Sequence, residues 1–445
     1  MKLSKVKAIL NGTLQGRDVE FQSVSIDTRT LSPGDLFIAI RGPNFDGHDF
    51  IEQAIAKSAS AVLVSEPTSA SIPSLLVDDT RKALADLAAF HRMQWSGAMI
   101  SVTGSCGKTT TKMLMTEIFS QAASTLSNAA SFNNDIGVPL TLLQLKPEHQ
   151  YAVCEVGANH PGEIAALTHI VKPDVAMITN AGAAHLAGFG DVKGVACAKG
   201  EIFQGLGVGG VAVVNADDQY ADFWKKQIGD HRIITFGIKK TADVMAMNIQ
   251  LNAQVQPHFR LILPNGEADI QLSLIGEHNI MNALAAAAAA YAKDVSIVHI
   301  KAGLEAASAV NRRLVEKLGV GGAVIIDDTY NANPLSTSAA ISLLSKRPGE
   351  SVFVLGDLVE LGEQADQFHK ELGLQAEQDG IQRLYCFGEH SRLAAEAFGK
   401  NAYHFENRDA LIASLRDTLN ETMTVLIKGS NAMGMDKIAK ALMEK

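Results

Sequence analysis

The run Gly104-Ser105-Cys106-Gly107-Lys108-Thr109-Thr110 constrains this chain more than any other feature, because of what flanks it. Before it, Ala98-Met99-Ile100-Ser101-Val102-Thr103 is apolar enough for a strand buried on both faces; after it, Leu114, Met115, Ile118 and Phe119 fall on one face of a helix. A strand, a glycine-rich turn and a helix start aim backbone N–H groups and the positive end of the helix at one point, which suits a phosphate. In such a turn Gly104, Ser105, Cys106, Gly107 and Thr110 form the cradle, Lys108 reaches the β and γ phosphates of ATP, and Thr109 can ligate Mg²⁺. Cys106 reads as a passive loop residue. Val102 stands where the general GxxxxGK[ST] pattern has its first glycine, so a plain glycine-rich turn is the competing reading.

Around this motif the chain is long enough for more than one core. At ~150 residues per domain, 445 residues divide into about three units. A hydrophobic share of 47% against 20% charged residues excludes a disordered chain. The net charge of -9 disfavours a general attraction to nucleic acid or to an anionic membrane, so anionic ligands need specific sites. Cys106, Cys154, Cys197 and Cys386 are scattered without a CxxC pair, which signals neither a disulfide framework nor a zinc site and suits a reducing cytoplasm. The alanine-rich stretch 283–292 is too short to cross a bilayer, and the N-terminal residues 1–11 have only broken apolar runs.

The expected fold class is α/β with three domains. Residues 1–82 read as a small α/β unit, with a strand at 35–40 between the turn signals Pro33-Gly34 and Gly42-Pro43. Residues 83–311 read as a P-loop ATPase-type parallel sheet: a helix from 81 to about 91, strands at 98–103, 151–155, 175–179 and 210–215, antiparallel strands between 242 and 275 turning at Pro264-Asn265-Gly266, and a helix through the alanines. Residues 312–445 read as a Rossmann-like unit, with strands at 323–326, 351–355, 383–387 and 423–427.

Glu155 ends an apolar strand and precedes Gly157; a carboxylate there faces the crevice where nucleotides bind and can hold a phosphate-bound metal, or it is simply a solvated strand end. His185 follows the strand 175–179 in a loop, where a lone histidine is usually structural. Lys199 reads as a surface lysine on a helix. The residues alone thus describe an ATP-using protein with an unknown acceptor.

Further motifs occur in order: Ser25-Ile26-Asp27-Thr28-Arg29, Asp46-Gly47-His48, Asn133-Asn134-Asp135-Ile136-Gly137, Glu155-Val156-Gly157-Ala158-Asn159, Ala184-His185-Leu186, Ala198-Lys199-Gly200-Glu201, Gly276-Glu277-His278-Asn279-Ile280-Met281-Asn282, Asp328-Thr329-Tyr330-Asn331-Ala332-Asn333-Pro334 and Lys428-Gly429-Ser430. With the phosphate loop, this series resembles the Mur ligases of bacterial peptidoglycan synthesis over nearly the whole chain. The tyrosine and asparagine run after Asp328 resembles the dipeptide-adding branch of that family. The resemblance implies a cytoplasmic bacterial enzyme, expected to be a monomer. It would join D-alanyl-D-alanine to UDP-MurNAc-tripeptide through an acyl phosphate, using ATP and Mg²⁺.

It also implies roles. Glu155, His185 and Lys199 (as a carbamate), with Thr109, would hold metal; with Lys108 they form the catalytic group. Asn279, Asn282, Arg313 and Asp328 would contact ATP, the two asparagines at the adenine. Without the resemblance, Asn279 or a neighbour reads as a helix cap, and Arg313 as a solvated charge. Ser25, Asp27, Arg29 and His48 would meet the uridine end of the substrate, with Asn133, Asn134, Tyr330, Asn331 and Asn333 also on the substrate. Asn333-Pro334 is in addition a good N-cap and N1 pair. A carbamate needs a neutral amine, so Lys199 should have a depressed pKa. Three positions depart from the family pattern: Asn311-Arg312 replaces proline-glycine, Asn431 replaces an arginine and Asp436 a glutamate. A folylpolyglutamate synthase-like ligase and a regulatory or motor ATPase are the rival readings.

Overall fold

A computed structural model describes residues 1–129 and 132–443. The chain folds around three sheets of five, nine and six strands, in chain order. In the first, Val24–Ser25, Leu36–Ile38, Ala61–Val64 and Ser74–Leu76 run parallel, and Thr13–Gln15 closes the edge antiparallel. The helix Thr80–Met93 starts where the Asp79 carboxylate accepts the N–H groups of Arg81 and Lys82. Its Ala83, Leu84 and Leu87 pack on the first sheet, while Ala88 belongs to the core beneath the second. Residues 82 and 83, where the sequence reading divides two units, lie in the first turn of this helix.

The second sheet places the phosphate loop. The strand before the loop, Ala98–Thr103, pairs in parallel with Tyr151–Glu155 on one side and Val175–Ile178 on the other, so successive connections leave in opposite directions and a crevice opens at the strands' C-terminal ends. Thr125–Ser127 forms one edge; beyond Val175–Ile178 come Val211–Asn215, Arg232–Gly237 and Val244–Leu251, then the antiparallel pair Pro257–Leu263 and Gly266–Gln271 joined by the two-residue turn Pro264-Asn265. The helix His278–Ala292 packs the buried alanines 283 and 285–290, with Leu284 between them, against the phosphate-loop helix Lys108–Ala122 and the sheet. Side chains this small let the backbones approach closely, and that fit brings Asn279 and Asn282 to the loop.

In the third sheet, Val324–Asp328, Met423–Lys428, Glu350–Gly356, Arg383–Phe387 and Ala402–Phe405 are parallel neighbours, with Val315–Leu318 antiparallel at the edge. One buried apolar cluster runs from the second sheet into the third, through Ile178, Ala181 and Leu186 to Ile326, Ala332 and Ala340. Among the described residues, no helix is long and apolar enough to cross a membrane.

Candidate active site

The loop after Ala98–Thr103 is held by the neighbouring strand end. Ser105 N–H donates to the Asn180 carbonyl (3.0 Å), Cys106 N–H to Asn180 Oδ1 (2.9 Å), and Thr179 Oγ1 to the Cys106 carbonyl (2.6 Å). Gly107 caps the helix Lys108–Ala122 with φ 81°, and a Cβ there would lie 2.3 Å from Asn282 Oδ1, so no other residue fits without displacing that asparagine. Lys108 Nζ donates to the Gly104 carbonyl at 2.7 Å. Burial lowers its pKa, with Arg313 adding to the effect, so a phosphate arriving here would meet a lysine that gains by being neutralised.

This loop forms one wall of a cavity of about 490 Å³ between the second and third units. The second unit contributes Asn133, Glu155, His185, Asn279 and Asn282; Arg313, Asp328, Tyr330, Asn331 and Asn333 line the far side. Most of the residues the sequence singles out for ATP therefore meet at one place. Gly104, Lys199, Asn134, Ser25, Asp27, Arg29 and His48 do not line it.

Glu155 is buried at its strand end, with Oε1 accepting from Asn133 Nδ2 (2.8 Å) and Oε2, 3.6 Å from Lys112 Nζ, accepting no hydrogen bond. A hard carboxylate oxygen that accepts no hydrogen bond among the described residues, lining the same cavity as Thr109 and His185, offers with the hydroxyl and the imidazole the kinds of donor that fit Mg²⁺. His185 takes a left-handed backbone (φ 53°) before the short helix Leu186–Phe189, and burial lowers its pKa, favouring the neutral ring a metal needs.

Lys199 is not on the surface. It is 1% exposed on the helix Val192–Gly200, with Nζ 5.3 Å from the centroid of the Phe189 ring. Burial, and next the charge of Lys108, push its pKa down to about 7. The depressed pKa expected of a lysine that must be neutral is found; composition had hidden the burial.

The two asparagines do not cap a helix. Glu277 is the N-cap of His278–Ala292 and makes no side-chain cap bond. Asn279 Nδ2 instead donates back to the Ile275 carbonyl (2.8 Å) and its Oδ1 accepts from Asn282 Nδ2 (2.8 Å), while Asn282 Oδ1 accepts from Thr111 (3.3 Å). This chain ties two helices together under the phosphate loop. Asn134 likewise serves its own backbone, with Oδ1 accepting the N–H of Gly137 at 2.9 Å.

From the third unit, Arg313 is stacked over Tyr330 (4.1 Å to the ring centroid) and donates to Thr109 Oγ1 at 2.9 Å. It is an inter-unit contact rather than a solvated charge. Lys428, 2% exposed, pairs with Asp328 at 2.5 Å and donates to the Asn331 carbonyl at 3.1 Å. Asn333 caps the helix Pro334–Ser345 in a reciprocal capping box with Ser336, as the Asn-Pro pair implies, and it also touches the phosphate loop: Cys106 Sγ lies 3.1 Å from its Oδ1. Cys106 is therefore a contact point. The three departures converge: Arg312 Nη2 reaches Asn431 Oδ1 (3.3 Å), Asp436 (3.5 Å) and the Thr329 carbonyl (2.6 Å). A guanidinium from residue 312 thus joins the two other changed positions.

In the first unit, Ser25 Oγ donates to the Asp27 carbonyl, and Asp27 pairs with Arg29 at 2.7 Å. His48 Nδ1 lies 2.6 Å from Asp46, and its Nε2 accepts the Ser65 N–H at 3.0 Å. Asp46, His48 and Glu66 come close enough to hold a cation, but Arg41 already bridges the two carboxylates. Lys428, Lys112 and Asn180 are residues that motif reading left without a role. Lys112 falls four positions after Lys108, one turn along the same helix, which is the only signal the sequence offered.

Three sheets in this order, with a phosphate loop facing carboxylate, lysine and arginine across a cleft, define a nucleotide-dependent ligase, and the comparisons agree. Family models match residues 20–92 (Mur ligase family, catalytic domain), 102–290 (Mur ligase middle domain) and 312–431 (Mur ligase, glutamate ligase domain). The chain belongs to the Mur ligase family. It is 43% identical to the UDP-N-acetylmuramoyl-tripeptide--D-alanyl-D-alanine ligase of Escherichia coli K12, covering 99% of this chain and 98% of the relative. Among solved structures, it resembles a MurF of Acinetobacter baumannii with TM-score 0.93 at 37% identity, over 99% and 98% of the two chains. It also resembles the MurF ligase of Thermotoga maritima in complex with ADP, with TM-score 0.83 at 27% identity, over 94% and 96%.

Proposed function

We propose that the protein joins D-alanyl-D-alanine to UDP-MurNAc-tripeptide at the expense of ATP, for peptidoglycan synthesis. The observation that carries this reading is the single cavity in which the phosphate loop of one unit faces Arg313, Asp328, Tyr330 and Lys428 of another.

A carboxylate is anionic and resonance-stabilised, so it must be activated before an amine can attack it. The γ-phosphoryl group passes from ATP to the terminal carboxylate of the tripeptide: the bond to the ADP oxygen breaks and a bond to the carboxylate oxygen forms. The amine of D-alanyl-D-alanine then adds to the acyl carbon. The tetrahedral intermediate expels phosphate, the nitrogen gives up its proton, and UDP-MurNAc-pentapeptide remains. No covalent enzyme nucleophile is involved, so the residues act by position and charge. Lys108 and the loop N–H groups would hold the phosphates. Arg313, already at Thr109, would follow the charge as it moves. Ser25, Asp27, Arg29 and His48 are assigned to the uridine end, and Asn133, Tyr330, Asn331 and Asn333 to the peptide.

Thr109, Glu155, His185 and a carbamate on Lys199 would hold Mg²⁺, which when bound screens the phosphate charge. The buried Lys199 amine supports the carbamate, because with a pKa lowered to about 7 a substantial share of it is neutral near pH 7, and an unmodified ammonium would repel a cation. The assay is direct: with ATP, Mg²⁺, UDP-MurNAc-tripeptide and D-alanyl-D-alanine, mass spectrometry should find the pentapeptide. Equal ATP consumption without either peptide reactant, and no amide formed, would overturn the reading in favour of a motor or regulatory ATPase. No observation favours the folylpolyglutamate synthase-like alternative.

A further inference from the structure

After the strand Glu350–Gly356 the chain makes a tight loop anchored on the third unit. Leu358 N–H donates to His369 Nε2 (3.0 Å), Val359 N–H donates to Ser430 Oγ (2.9 Å), and Leu358 and Leu361 are buried. Between them Glu360 is half-exposed, with φ 66°. This left-handed backbone is uncommon for a residue with a long side chain and would suit glycine better, so the loop holds a glutamate where a relaxed sequence would not.

That glutamate reaches the second unit twice. Its Oε2 lies 2.5 Å from His185 Nδ1, and its backbone carbonyl accepts the N–H of Ala187 at 3.2 Å. Nδ1 is enclosed; at this closure the carboxylate is within ion-pair reach of it, without the alignment of a hydrogen bond. Phe189 meets the ring edge-on, with centroids 6.5 Å apart. A carboxylate facing Nδ1 favours the proton there and leaves the lone pair on Nε2, the nitrogen that would then serve a ligand in the cavity that His185 lines.

We propose that Glu360 is a positioning residue: reaching across from the third unit, it sets the tautomer and orientation of His185, so that full metal affinity requires the two units to be closed on each other. This rests on the reading of His185 as a metal ligand. Nothing else within the loop explains why a strained position should carry an acid aimed at another unit.

The test uses the full chain with a non-hydrolysable ATP analogue, titrated with Mn²⁺ and followed by the electron paramagnetic resonance signal of the free ion. Glu360→Ala and Glu360→Gly should each weaken Mn²⁺ binding about tenfold or more, as loss of an outer partner of a metal-bound histidine does. Glu360→Gly should unfold at the same or a higher temperature than the parent, because glycine relaxes φ, and this separates the effect from misfolding. Nitrogen-15 shifts of the His185 ring in metal-free protein should report the Nδ1–H tautomer in the parent and a mixture in Glu360→Gly. If His185→Ala weakens Mn²⁺ binding while both Glu360 variants bind it like the parent, the positioning role is overturned. If His185→Ala also binds like the parent, the ligand assignment fails, and the Glu360 proposal with it.

Discussion

Lys108 donates to a carbonyl of its own loop, so removing its charge should cost chemistry and little fold. Lys108→Ala is expected to lower phosphate release at least about a hundredfold, the scale of losing one donor to a developing charge, with the circular dichroism spectrum unchanged. Lys199→Ala should be as inactive, and a short carboxylic acid should partly restore it by filling the space of a carbamate; failure of rescue at saturating acid would count against the modification. His278 offers a stability test. Burial pushes its pKa to about 4, below the usual 6.5. Between those values the unfolded chain binds a proton that the folded chain refuses, so folding stability falls as pH drops from about 6.5 to about 4. The steepest slope is about 1.4 kcal/mol per pH unit. His278→Gln should flatten this part of the denaturation profile, as read by urea midpoints at pH 4.5 and 7.

Among the elements, the phosphate-loop helix and the alanine helix form the part most sensitive to size. Gly107→Ala would drive a methyl into Asn282 Oδ1 and should abolish nucleotide binding by calorimetry. Ala287→Leu, in a fully buried position, should cost about 1–3 kcal/mol of stability by overpacking. These elements were legible in the sequence because their signals are local: the apolar strand Ala98–Thr103, the glycines after it, and the Asn-Pro start of Pro334–Ser345. The edge strands Thr125–Ser127 and Val315–Leu318 were not, since both are short, carry no buried residue and owe their pairing to a neighbour. Burial of Lys199 was equally hidden, because a helix written with small residues shows no clear wet and dry side until another element covers it. Glu360 lay beyond reach for a related reason: its partner is 175 positions away, and only the meeting of two units gives it a role.

At the scale of the whole molecule, the second and third units share a core cluster and several polar contacts at the cleft, among them Lys346 with Glu277 (2.7 Å) and Arg347 with the Gln254 carbonyl (2.7 Å). Lys346 and Glu277 are partly exposed, so Lys346→Ala should shift the balance between open and closed forms by no more than about 1 kcal/mol, visible as at most a fivefold change in KM for ATP. Small-angle scattering should find the metal-free and nucleotide-bound forms differing mainly in the separation of these units. The guanidinium of Arg313 resting on the Thr109 hydroxyl carries a further consequence. If Thr109 and Arg313 hold the nucleotide as proposed, an incoming nucleotide would have to unclasp this arginine first, and the leaving diphosphate would wait for the same latch to lift. Each round of synthesis would then include a mechanical stroke, and thickening the medium with sucrose should slow turnover even when every reactant is saturating.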